Sequence, residues 1–177
     1  MATRGYVAVL IDYRLGQGEP FGLDQAAEPS RADVVDSAIS DAQAALRWVR
    51  TAPGELRVDP GRIAIGGTSA GAMTAAGAAL SSPARDRPCT LVSISGDIEA
   101  GWVGTQPISA LFVHGDADQL VPYESAVSAV QLITANGGNA QLITIAGAGH
   151  EITGVPAADI ERDVAAWLRE HVAAQCG

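Results

Sequence analysis

A chain of 177 residues that is 47% hydrophobic and 18% charged has the size and composition of one globular domain with a real core, and not those of a disordered segment. Twenty acidic residues outnumber eleven basic ones, a formal charge of -9, which excludes nucleic acid and anionic membrane surfaces as partners by simple repulsion. All eleven basic residues are arginine; without a lysine there is no Schiff-base chemistry, no anchor for pyridoxal phosphate and no P-loop phosphate capture.

Along the chain, short apolar runs alternate with helix-period segments, the pattern of parallel strands joined by crossover helices. It predicts an α/β fold with a mostly parallel sheet of about five strands and flanking helices. The first run, Tyr6 to Asp12, is almost continuously apolar, as a strand covered on both faces must be. A helix should start near Ser30, a good N-cap with Asp33 three residues on, and carry Val35, Ile39, Ala42, Leu46 and Val49 down one face before ending at Pro53 and Gly54. The second run, Arg62 to Gly66, leads into Gly67-Thr68-Ser69-Ala70-Gly71 and then an alanine-rich helical stretch to Leu80. Thr90 to Ser95 and Ile108 to His114 are the next two strands, separated by a short segment, Asp97 to Gln106. After Pro122 the spacing of Ala126, Val130 and Ile133 predicts a helix that stops at Asn136-Gly137-Gly138. The fifth strand, Ala140 to Ala146, is followed by Gly147-Ala148-Gly149-His150, and a last helix from about Pro156 carries Ile160, Val164, Trp167, Leu168 and Val172 as its apolar stripe.

Chemistry concentrates after the second strand. Gly-x-Ser-x-Gly between a strand and a helix is the pattern of a nucleophile on a sharp turn, where small residues are needed because the chain doubles back on itself. Ser69 would be exposed at the carboxyl end of the sheet, and the Ala70 N–H, at the N-terminus of the next helix, would face a developing oxyanion. Two rival motifs fail on named residues: Gly66 and Gly71 have the outer spacing of a P-loop, but Ala72 stands where lysine is required, and no Gly-x-Gly-x-x-Gly occurs. A serine at neutral pH needs a base, and three histidines are present. His171 falls near the end of the last helix, an ordinary surface position, and His114 ends a strand. His150, on a glycine-rich loop, is the one free to swing toward the turn. Asp116 and Asp118, both just past the fourth strand, are the candidate carboxylates, giving the chain order Ser, Asp, His. Trp102 reads either as a wall of the pocket or as core, and the stretch Gly16 to Gly22 with Phe21 either as a site-lining loop or as an ordinary one.

No apolar run approaches the roughly 20 residues of a membrane span, and no signal peptide opens the sequence, so a soluble, cytoplasmic protein is expected. Cys89 and Cys176 have no metal-ligand spacing; free thiols are the expectation, with a disulfide between them left open.

These residues resemble the alpha/beta-hydrolase superfamily, bacterial carboxylesterases in particular. The resemblance is carried by Tyr6 to Leu15, by Asp59-Pro60-Gly61-Arg62-Ile63-Ala64-Ile65-Gly66-Gly67-Thr68-Ser69-Ala70-Gly71, by His114-Gly115-Asp116-Ala117-Asp118 with Val121-Pro122, and by Gly149-His150. It implies Asp118, four residues after the strand-ending histidine, as the acid, and hence Ser69, Asp118 and His150 as the catalytic set, with no metal or organic cofactor. It also implies a chain shortened at its N-terminus, lacking the first three strands and the His-Gly-Gly loop that supplies the second oxyanion donor. The expected molecule is then one hydrolase domain over residues 1–177, without a cap domain, acting on small short-acyl esters. Loss of one oxyanion donor would cost about 3 to 4 kcal/mol, and a backbone N–H near Gly16 is the expected substitute. Alternatives are a weakly active binding or scaffold domain, or attack on another acyl bond, a lactone, thioester or peptide. In the resembled fold a further strand separates the first two runs seen here; we expect those two to pair directly, and a homodimer to cover the apolar face left open.

Overall fold

In the computed structural model, residues 2–15, 30–51, 53–104 and 107–172 are described. Four parallel strands, β1 (Ala64–Thr68), β2 (Thr90–Ile94), β3 (Ser109–Gly115) and β4 (Asn139–Ile145), form one sheet in the order β1-β2-β3-β4. Among the described residues five α-helices accompany them: α1 (Arg31–Thr51), α2 (Pro53–Leu56), α3 (Ala70–Ser81), α4 (Tyr123–Ala135) and α5 (Ala157–Val172). Among the described residues no helix is long and apolar enough to cross a membrane.

The predicted starts and stops operate as the side chains dictate. Ser30 and Asp33 close a reciprocal cap on α1, with the Asp33 N–H donating to Ser30 Oγ and the Ser30 N–H to Asp33 Oδ2. Asn136, Gly137 and Gly138 end α4, Gly137 at φ 80°. Alternation along the buried strands splits the core into two layers. Leu91, Ala110 and Phe112 face α3 and α4, where they meet Ala75, Ala76, Ala79, Ala126, Ala129 and Ile133. Val92, Leu111 and Val113 face α5, packing on Val164, Trp167, Leu168 and Val172. Trp167 also donates its indole N–H to the buried Thr90 hydroxyl at 2.7 Å. Ala42, Leu46 and Ile63 join α1 to α3, whose residues are small enough to be buried almost all round.

Two expectations are corrected here. The first apolar run, Tyr6 to Asp12, forms no strand, and its ladder with the second run is absent; among the described residues the sheet has four strands. The run is instead strung along the far side of a cleft of about 760 Å³ at the open edge of β1. Its ends are tied to different helices, Arg4 to Glu161 of α5 at 3.5 Å and Arg14 to Asp41 of α1 at 2.8 Å. Between those ties it makes no ladder with β1, and Val7, Val9, Leu10 and Leu15 are exposed. The second correction is Cys89, which is disulfide-bonded rather than a free thiol; Cys176 lies outside the described residues.

Candidate active site

β1 ends one residue before Ser69, and the turn there is forced. Ser69 holds φ 54° and ψ -123°, a region costing a non-glycine residue about 1 to 3 kcal/mol, so its surroundings must impose it. Its N–H donates to the Ile94 carbonyl at 2.9 Å, while its own carbonyl accepts from the N–H groups of Ala72 and Met73, which open α3. A Cβ on Gly67 would run into the backbone of Gly71 and Ala72, so only glycine fits. Gly71 differs from the expectation: a Cβ there would meet only the Tyr13 hydroxyl, at an ordinary 3.7 Å.

A serine at a helix N-cap normally turns its hydroxyl onto its own helix. Ser69 makes no such cap. Its Oγ lies 2.8 Å from Nε2 of His150, which the loop after β4 brings back over the sheet. The Ala70 N–H, first in α3, has no partner among the described residues.

On the other side of the ring, His150 Nδ1 is 2.9 Å from Oδ2 of Asp118, whose side chain is wholly buried. Burial pushes the Asp118 carboxyl up, but the Val121 N–H, the His150 ring and the Leu120 N–H together outweigh it and hold the group below the usual carboxylate range. An ionised carboxylate can only accept, so His150 donates from Nδ1 and presents a bare Nε2 to the serine.

Of the two aspartates left open by the residues alone, the structure brings Asp118 to His150. Asp116 is exposed, and its Oδ1 accepts from the Gly147 N–H at 2.6 Å, fastening the β3 turn to the loop that carries His150. The same two loops are zipped by Ala117 N–H to Ala148 O at 3.0 Å, and approach so closely that a Cβ on Gly115 would strike the Ala148 carbonyl.

Two supporting residues were not singled out for these roles in the sequence. His114, 1% exposed, sits behind the acid, with Nε2 at 3.1 Å from Asp118 Oδ2 and 3.0 Å from the Val121 carbonyl. Both neighbours are acceptors, so Nε2 carries the proton and bridges them. Ser95, at φ 50° past β2, donates its hydroxyl to the His150 carbonyl at 2.8 Å. No sequence spacing advertises that bond, which joins residues 55 apart; for His114 the only cue was its place at a strand end.

Other candidates lie elsewhere. His171 stacks on Trp167 at the far end of α5 and bonds Asn139 and the Trp167 carbonyl. Trp102, half-buried, packs against the α3 and α4 side of the core. The Gly16 to Gly22 stretch, with Phe21 and the proposed N–H donor near Gly16, lies outside the described residues. Among the described residues no group of three or more His, Cys, Asp or Glu side chains is arranged to hold a metal ion.

Comparison with known proteins gives two family matches: an alpha/beta hydrolase fold profile over residues 32–129, more than half of the chain, and a prolyl oligopeptidase family profile over residues 102–175. No curated protein matches the sequence. Solved structures similar to it include a truncated carbohydrate esterase from gut microbiota (TM-score 0.67, 19% identity, covering 78% of this chain and 69% of that one). A Thermogutta terrifontis thermophilic esterase superposes with TM-score 0.66 at 21% identity over 77% of this chain and 64% of its own. A deep-sea metagenome alpha/beta hydrolase, from the Medee basin, gives 0.64 at 18% over 77% and 65%. The chain thus spans about two thirds of the length of these proteins, and at such identities the likeness is one of fold.

Proposed function

Because the chain belongs to the alpha/beta hydrolase fold family, we propose that it is a serine carboxylesterase acting on small, short-acyl esters through Ser69, His150 and Asp118. The observation that carries this reading is the unbroken relay from Ser69 Oγ to His150 Nε2 at 2.8 Å and from His150 Nδ1 to Asp118 Oδ2 at 2.9 Å. Ser69 Oγ attacks the ester carbonyl carbon as its proton passes to His150 Nε2. The carbonyl oxygen becomes an oxyanion that accepts from the Ala70 N–H, aided by the α3 dipole. Asp118 stabilises the imidazolium without taking its proton. His150 then protonates the departing alkoxide, leaving an acyl-serine; a water attacks the acyl carbon as it gives one proton to His150, which returns that proton to Ser69 Oγ as the bond to the serine breaks and the acid leaves.

Short acyl groups are favoured by two considerations. The chain between β2 and β3 is too short to lay a broad apolar cover over Ser69. A structurally similar Thermogutta terrifontis esterase has been solved with propionate and with butyrate bound. The prolyl oligopeptidase match spans Asp118 and His150, which makes a peptide amide the first other leaving group to assay.

Purified protein should release nitrophenol from nitrophenyl acetate or butyrate, and Ser69→Ala should abolish that release with the circular dichroism unchanged. Folded protein that is inert on a panel of esters, thioesters, lactones and amides would refute the assignment in favour of a non-catalytic domain.

A further inference from the structure

Among the described residues four that are not glycine hold a positive φ, and three of them surround the proposed nucleophile and base: Ser69 at 54°, Ser95 at 50° and Ile152 at 47°. Such a backbone persists only where its neighbours impose it, and a β-branched residue in that region is an outlier. For Ser69 the reason is the sharp turn out of β1. For the other two it lies in how His150 is carried.

His150 and Glu151 are the two central residues of a turn closed by the Ile152 N–H, which donates to the Gly149 carbonyl at 3.0 Å. Upstream, Gly147 and Ala148 are fastened to the turn after β3. Downstream, the Ile152 side chain is buried in the core layer that faces α5. Between two such anchors the central peptide of a turn can rotate while its ends stay in place, the change that separates type I from type II and swings ψ of the first central residue by about 150°. That residue is His150. What stops the rotation is Ser95, whose hydroxyl donates to the His150 carbonyl, the oxygen of that central peptide, at 2.8 Å. Ser95 is fully buried, and its own N–H donates to the Val113 carbonyl at 2.9 Å, so the donor is fixed to the sheet and cannot follow the loop. A rotated peptide would turn its carbonyl away and leave a buried hydroxyl without an acceptor. Glu151 accordingly holds no positive φ, which a type II turn would require of it.

We propose that Ser95 is a positioning residue for the hydrolysis: its hydroxyl locks the peptide between His150 and Glu151 and thereby keeps the ring nitrogen on Ser69 Oγ. This rests on the reading of Ser69, His150 and Asp118 as the relay. Ser95 acts through His150 and does not touch the ester. The relay is two bonds of 2.8 and 2.9 Å on opposite sides of one ring, so a tilt that shortens neither lengthens both. A misplacement of about 1 Å in such a constellation costs on the order of a hundredfold in rate. The left-handed backbone at Ser95 is then the strain that ends β2 at Ile94 and turns the hydroxyl onto the loop.

Three substitutions separate this role from a merely structural one, because hydroxyl and backbone strain can be changed independently. Ser95→Gly removes the hydroxyl and relieves the positive φ, Ser95→Ala removes the hydroxyl and keeps the strain, and Ser95→Thr keeps the hydroxyl and adds a β-branch to the strained backbone. Urea midpoints should place Ser95→Gly above Ser95→Ala, and Ser95→Thr below the parent. Turnover of nitrophenyl acetate, measured without denaturant on protein of native circular dichroism, should rank them differently. Ser95→Gly and Ser95→Ala should both lose about tenfold or more in kcat with KM within about twofold, while Ser95→Thr stays within about threefold of the parent. Burst and steady-state phases should slow together, since the ring serves acylation and deacylation alike. The proposal is overturned if Ser95→Gly keeps kcat within about threefold of an active parent, or if kcat across the set follows the urea midpoints; should Ser95→Thr fail to fold, Ser95→Gly against the parent decides alone. A folded parent inert on every acyl ester overturns the relay reading and the proposal with it, whereas an active parent beside an equally active Ser95→Gly overturns the proposal only.

Discussion

Asp118→Asn tests the relay most sharply, because the substitution keeps the shape of the side chain and changes only which atoms donate. The Leu120 and Val121 N–H groups, each 2.9 Å from Oδ1, hold the oxygen end of the amide in place. The amide NH2 must then occupy the Oδ2 position, facing two imidazoles that both now donate. His150 can accept from it only by moving its proton from Nδ1 to Nε2, and that proton then points at Ser69 Oγ, so the base is lost while every heavy atom stays within reach. A change of this kind costs about 10⁴-fold in kcat, close to 5.4 kcal/mol in the barrier, with KM little altered. Burst and steady-state release of nitrophenol from a short acyl ester reads it, beside Asp116→Asn, whose carboxylate only fastens a loop and whose loss should cost about tenfold or less. If Asp118→Asn stays within about tenfold of the parent while Ser69→Ala is dead, the buried carboxylate does not set the tautomer and the relay reading is wrong.

Opposite signs are expected for the two glycines of the turn. Gly67→Ala should lose about 3 kcal/mol or more of stability to backbone overlap, whereas Gly71→Ala, with open space and a helical position, should gain about 0.5 to 1 kcal/mol; urea unfolding of both variants decides it. His114→Phe leaves the Val121 carbonyl without its buried donor and should cost about 1 to 3 kcal/mol by the same measurement, with a change below about 0.5 kcal/mol counting against the bridge. The Asp118 carboxyl is held below its ordinary value of about 3.9, so the stability it contributes is full above that pH and is lost as pH falls through the lowered folded value. Unfolding curves of the parent and Asp118→Asn should therefore converge below about pH 4; a constant gap down to pH 2 would show that the carboxyl titrates as it does in the unfolded chain.

Periodicity and local chemistry made most of the framework legible. Apolar runs bounded by glycine and proline marked β1 to β4, the Ser30 and Asp33 pair marked the start of α1, and small residues around Ser69 marked the turn, because in each case the cause lies within a few residues of its effect. Tyr6 to Asp12 was misread for the complementary reason: its composition is that of a strand, but a strand exists only where a neighbour lies within hydrogen-bonding reach, and that is set in three dimensions and not by the composition of the run. The bridge from His114 and the hydroxyl bond from Ser95 were illegible on the same ground. Asp118 was separable from Asp116 through family resemblance, whereas the physical distinction, burial against exposure, appears only in three dimensions.

The separation of 81 positions between Ser69 and His150 has a consequence for how the molecule is made. A nascent chain can lay down β1, bend it and start α3 long before His150 has been made, since that residue follows the last strand of the sheet. Contacts of such separation form late and slowly. On the proposed relay, turnover should appear only when both ends of that separation have met, so an assay of ester release during refolding should time the arrival of the C-terminal third more directly than any measure of helix content.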